Sequence, residues 1–98
     1  MMKEHKKLER LMLFSEVAEH LSFTVAAEKL NISRGHLSTQ IRRLEQDMEM
    51  VLLIRSTRSV RLTPEGKRVL TGMNKIRHDL LELERSAEHE GNKIEGRI

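Results

Sequence analysis

A chain of 98 residues, 38% apolar and 34% charged, has material for one small core and at most one further helix, which leaves no room for a large substrate pocket. It has no cysteine, so disulfides, thiolate chemistry and Cys-based zinc sites are excluded, and no apolar run approaches the ~18 residues of a membrane span. Phe14 and Phe23 are the only aromatics, so the core is aliphatic and the stacking platforms of single-strand binders are missing. The basic N-terminal stretch ending at Lys7 is followed by no signal-type apolar segment, and the chain reads as cytoplasmic. The net charge of +3 is unevenly spread. Residues 31–68 hold eight Lys or Arg against four Asp or Glu, and three arginines with no acid lie between Met50 and Pro64. A basic window of this kind is an electrostatic footprint for nucleic acid.

In chain order, the first predicted element is an amphipathic helix over about Lys6–His20, with Leu8, Leu11, Phe14, Val17, Ala18 and Leu21 recurring at steps of three and four. Ser22-Phe23-Thr24 interrupts it, and Thr24 is expected to open a short helix, Val25–Leu30, with Ala26, Ala27 and Leu30 as its apolar face. Asn31 suits a helix C-cap, Ile32 a buried plug and Ser33 the N-cap of a third helix over Arg34–Met48. Leu37, Ile41, Leu44 and Met48 form the apolar stripe of that helix, while His36, Thr39, Gln40, Arg42 and Arg43 lie opposite. Two β-type segments, 51–55 and 59–62, joined by Ser56-Thr57-Arg58, predict a hairpin with a basic tip. Thr63-Pro64-Glu65 then starts a long helix expected to end at Glu88 or Glu90, before Gly91-Asn92, with Gly66 a mild weakness in it. Its apolar residues Val69, Met73, Ile76, Leu80, Leu83 and Ala87 are spaced four, three, four, three and four, a heptad seam that one helix cannot bury by itself.

The organisation is therefore a mostly α winged helix-turn-helix at 6–63, with the helix-turn-helix at about 23–42 and the wing at about 51–62. A linker and dimerisation helix at 64–90 and a tail at 91–98 follow. Phe14, Val17-Ala18, Ser22-Phe23, Ala26-Ala27, Leu30, Ser33, Leu37-Ser38, Gln40-Ile41, Leu44-Glu45, Arg55, Arg58, Leu62-Thr63 and Gly66 together resemble the N-terminal DNA-binding domain of LysR-type transcriptional regulators. The resemblance is ungapped from about Leu11 to Gly66, and the helix after it resembles that family's dimerising linker helix. It implies a homodimer with antiparallel linker helices, possible tetramers of the full-length protein, and a small-molecule co-inducer bound by a C-terminal domain absent from this chain. No cofactor is expected in the chain itself. Six positions depart from the pattern. Arg34 stands where Gln is usual, Gly35 and His36 where small residues or Pro are usual, and Thr39 where Arg or Lys is common. Glu49 replaces a frequent Gly and Leu53 a frequent Phe. Gly96-Arg97-Ile98 resembles the hinge toward the effector domain, while Ile94-Glu95-Gly96-Arg97 also matches a protease-recognition sequence used at the ends of expressed fragments.

A recognition helix presents its N-terminal residues to base edges in the major groove. The DNA-binding candidates on the third helix are Ser33, Arg34, Gly35, His36, Ser38, Thr39, Arg42 and Arg43. Arg34 can bond guanine O6 and N7 together, and a phosphate contact is the alternative. Gly35 admits close backbone approach, and Ser33 can cap the helix and meet a phosphate at once. Of Arg42 and Arg43, one is expected on a phosphate and the other paired with a nearby acid. The wing candidates are Arg55, Arg58 and Arg61, for phosphate or minor-groove contact.

The competing reading keeps the same fold as a protein-interaction module whose long helix binds a partner; basic residues on the third helix and the wing weigh against it. Enzyme activity is not expected. The five histidines form no His-x-x-x-His pair, there is no Gly-rich phosphate loop, and Glu82 and Glu84 lie on a solvated helix face. Nor is a membrane partner.

Overall fold

A computed structural model describes the backbone of residues 2–95 and the side chains of residues 5–88. The elements run α1 (Met2–His20), α2 (Phe23–Leu30), α3 (Arg34–Met48), β1 (Leu53–Arg55), β2 (Val60–Leu62) and α4 (Pro64–Glu95). This is the predicted winged helix-turn-helix with a long trailing helix. Among the described residues no helix is long and apolar enough to cross a membrane.

The turns follow from their capping residues. Leu21 and Asn31 take left-handed backbone conformations, with φ of 49° and 57°. Asn31 thereby stops α2, and the amides of Asn31 and Ile32 reach back to the carbonyls of Glu28 and Ala27. The α2 N-cap is Ser22, two residues earlier than expected: its extended backbone lets Oγ accept from the Val25 amide, so Phe23 and Thr24 are already helical. Ser33 caps α3 as predicted, its Oγ accepting from the His36 amide at 3.0 Å. At the other end Glu49 holds φ of 54° as C-cap, a left-handed position that a glycine occupies without strain.

Phe14, Val17 and Ala18 of α1, Ala26 and Ala27 of α2, Leu37, Ile41 and Leu44 of α3, and Leu52 and Leu53 before and in the wing form one buried cluster. Each fully buried aliphatic side chain contributes roughly 1.5–3 kcal/mol, and truncating Leu37 or Ile41 to Ala would cost about 2–5 kcal/mol. Ile32 packs against this cluster only partly buried, and Leu8 and Leu21, expected on the core stripe, are exposed. Leu21 is displaced because the helix ends just before it.

The wing is an antiparallel pair in the register Leu53↔Leu62, Ile54↔Arg61 and Arg55↔Val60, shorter than the predicted segments. Val51 and Leu52 stay outside the pairing because their carbonyls are taken by Thr63, through Oγ1 at 2.6 Å and the amide at 3.1 Å. Thr63 also caps α4, its Oγ1 accepting from the Gly66 amide at 2.9 Å. Gly66 is no weakness here: a Cβ at that position would overlap the Leu52 carbonyl oxygen, so the first turn of α4 approaches the wing only with glycine. Helix α4 has 32 residues, about 48 Å at 1.5 Å per residue, and passes through Gly91-Asn92 where a stop was expected. Of the tail readings, the part on residues 96–98 lies outside the described residues.

Candidate nucleic-acid interface

The start of α3 and the wing face each other across an open cleft of about 930 Å³. Arg34, Gly35, Ser38 and Arg42 line it from α3, Arg55 and Arg58 from the wing, and Ser22, Phe23 and Thr24 from the start of α2. Among the described residues no acidic side chain lines it, so four guanidinium groups set its potential, that of Arg55 offset by Glu45 behind it. Packing of the wing on α3 through Leu52 and Leu53 brings these arginines together from positions 34 to 58 of the sequence.

The cleft gathers six of the eleven predicted DNA-binding residues. Ser33, His36, Thr39, Arg43 and Arg61 lie outside its lining. Arg34 is exposed and donates from Nη1 to Thr24 Oγ1 at 3.2 Å, across the gap between the first turns of α2 and α3. Thr39 turns its hydroxyl back onto its own helix, donating to the Gly35 carbonyl at 3.0 Å. At Gly35 nothing lies within 4 Å of where a Cβ would stand, so the protein itself does not require glycine there. Arg42 and Arg43 are both exposed, and neither forms an ion pair among the described residues, in contrast to the expected acid partner for one of them. Gln40 is engaged away from the cleft, accepting from Arg10 Nε at 2.9 Å.

Arg55 departs most from expectation. It is folded into the protein, not extended from the wing: Nη1 donates to Ser38 Oγ at 2.7 Å, Nη2 lies 3.7 Å from Glu45 Oε1, and the guanidinium carbon sits 4.6 Å from the Phe23 ring centroid. Burial lowers its pKa, with Arg42 adding to the shift and Glu45 opposing it. The group remains charged, as arginine does in proteins. The sequence reading missed Glu45, whose Oε2 accepts from the Leu52 and Leu53 amides at 2.8 and 3.2 Å and so clamps the chain entering the wing. An acid directly after the stripe residue Leu44 was the available signal. It also missed Thr24, which the expected capping role concealed.

The predicted seam on α4 divides. Met73 is buried and Val69 packs against the core of the same chain, while Ile76, Leu80 and Leu83 are 48%, 44% and 65% exposed and Ala87 is exposed. An ion pair of Arg77 with Glu19 at 3.4 Å marks where α4 leaves α1. On α1 the ligand atoms of Glu16, Glu19 and His20 lie within 4.8 Å of one another. Their partners are within the protein, Glu16 with His20 and Glu19 with Arg77.

Comparison with known proteins gives a consistent picture. The family described as bacterial regulatory helix-turn-helix proteins, lysR family, matches residues 8–67. The HTH-type transcriptional regulator PtxR of Pseudomonas aeruginosa is 51% identical over 63 residues, 64% of this chain and 20% of that protein. The HTH-type transcriptional regulator CzcR of Bacillus subtilis is 37% identical over 78 residues, 80% of this chain and 27% of that protein. Among solved structures, the DNA-binding domain of BenM in complex with catB site 1 DNA superposes with a TM-score of 0.78 at 35% identity, covering 84% of this chain and 91% of that one. The chain spans about a fifth to a third of the length of the curated relatives it matches.

Proposed function

The chain belongs to the lysR family of bacterial regulatory helix-turn-helix proteins, and from that premise we propose that it reads double-stranded DNA as a homodimer on an interrupted dyad, as the DNA-binding part of a cytoplasmic transcriptional regulator. The observation that carries this reading is the acid-free cleft between α3 and the wing, with Arg34, Arg42 and Arg58 turned toward open solvent. Helix α3 enters the major groove by its first turn. Arg34 there reads a base edge, guanine first, because its fork matches O6 and N7. Ser33, Gly35, His36, Ser38 and Thr39 complete the approach, and Arg42, Arg43 and the wing arginines 58 and 61 neutralise phosphates or enter the minor groove. No reaction chemistry is assigned to the chain.

The dimer reading rests on α4. Its exposed apolar residues Ile76, Leu80, Leu83 and Ala87 continue the spacing that Val69 and Met73 use within the protomer. Charge along the helix favours antiparallel pairing. Residues 64–77 carry Lys67, Arg68, Lys75 and Arg77 against Glu65, whereas residues 78–88 carry Asp79, Glu82, Glu84 and Glu88 against Arg85. Two antiparallel rods set each basic half beside an acidic one; parallel rods set like beside like. In the whole regulator, we assign control of this reader to a small-molecule co-inducer bound by a further domain.

Selection of bound sites from random duplex DNA tests the proposal. The expected result is an enriched sequence with two related halves, bound with an affinity that falls steeply with salt as several phosphates are neutralised. Affinity for the selected duplex no better than for random duplex at moderate salt would overturn it.

A further inference from the structure

The geometry points to Arg55 as a positioning residue: its guanidinium bolts the wing to the recognition helix, so that the contribution of Arg58 at the wing tip depends on Arg55 although Arg55 itself makes no DNA contact. The inference rests on the DNA-reading proposal above.

Three elements meet at this one group. Ser38 Oγ at 2.7 Å and Glu45 at 3.7 Å belong to α3, the Phe23 ring at 4.6 Å belongs to α2, and Arg55 is the last residue of β1. Only 22% of the side chain is exposed, and Nη2 is buried without a hydrogen-bond partner beyond its ion pair with Glu45. A planar cation held on a ring face, an acid and a hydroxyl together has little freedom to swing out to a phosphate. A two-stranded hairpin with three residue pairs is marginal by itself, so its orientation is set by what anchors it. At its base the anchors are Leu52, Leu53 and Thr63, all buried. At the tip end the anchor is Arg55, immediately before the turn in which the Ser56 amide donates to the Ser59 carbonyl at 2.9 Å. Arg58 stands on that turn, exposed. Releasing the bolt leaves the tip hinged at its base, and Arg58 then loses its fixed height over the cleft.

The experiment is a double-mutant cycle on this 98-residue chain, using a duplex enriched by selection with the unaltered protein, with random duplex as control. Arg58→Ala alone is expected to weaken binding to the selected duplex about tenfold; in an Arg55→Met background the same change is expected to cost less than about twofold. Arg55→Lys discriminates further. A phosphate contact tolerates lysine, whereas a bolt that needs the planar fork does not, so Arg55→Lys is expected to behave as Arg55→Met. Circular dichroism checks folding, and Phe23→Leu, which removes only the ring beneath the guanidinium, is expected to reduce the Arg58 effect by a smaller factor. Independent, multiplying effects of the Arg55 and Arg58 changes, or full rescue by lysine, overturn the inference. Should the unaltered chain fail to prefer the selected duplex over random DNA, the DNA-reading proposal itself falls; preference with multiplying effects removes the bolt alone.

Discussion

Arg34 and Thr24 join the first turns of α2 and α3 through a single hydrogen bond of 3.2 Å, guanidinium to hydroxyl, at the mouth of the cleft. That bond leaves the remaining donors of an exposed arginine free while restricting where they point. Arg34→Ala is expected to cost about 1–3 kcal/mol on the selected duplex and much less on random DNA. Thr24→Val, which frees the guanidinium without removing it, should lower the ratio of specific to non-specific affinity less. Equal losses on every sequence, measured by titration at fixed salt, would make Arg34 a phosphate contact.

Leu80→Glu places a charge in the exposed apolar run of α4 and, in an antiparallel pair, beside its partner's copy of the same run. Sedimentation should show monomers with unchanged helix content, and affinity for a two-half site should fall to that of a single half-site. Dimers that persist would reject the Ile76–Ala87 interface.

Glu49 holds a left-handed conformation at the end of α3 with a side chain that gains nothing visible from it. Relief of this conformation outweighs the added freedom glycine gives the unfolded chain, so Glu49→Gly should stabilise the fold by about 0.5–1 kcal/mol in denaturant melts. A loss of stability would mean that Glu49 carries an interaction in solution.

Two glycines of α4 make a contrasting pair. Gly66→Ala drives a methyl group into the Leu52 carbonyl and should destabilise by about 1–3 kcal/mol. Gly72→Ala meets open space in the middle of the helix and should stabilise by about 0.5–1 kcal/mol. Thermal melts of both variants decide it; equal shifts of one sign would contradict the close approach at Gly66.

Local chemistry was legible in the sequence wherever it acts within one turn of chain. Ser33 caps α3, Asn31 ends α2, and the stripe Leu37, Ile41 and Leu44 is buried as its spacing predicts. Ser22 and Thr24 are both capping residue types two positions apart, and only the extended backbone at Ser22 separates them. What sequence spacing leaves out is which partner lies opposite. Gly66 looked like a weak helix residue because the Leu52 carbonyl is fourteen positions away. Arg55 lies in a basic window that points toward DNA, while its contacts with Phe23 and Glu45, far away in sequence, hold the guanidinium against the protein. Val69 and Met73 obey the same heptad as Leu80, since a periodic stripe records that a face is covered and not by whom.

The packing of Val69 has a mechanical consequence. The root of α4 packs through Val69 and Leu70 on the core that α1 and α3 share, so the rod is braced against the reading head. In the homodimer proposed above, with two such rods crossing along their outer halves, a few degrees of scissoring would swing the two recognition helices through an arc about the crossing point. In that proposed dimer the register between the heads and the turns of the duplex would be adjustable from a distance, through leverage, with every side chain at the cleft left where it was.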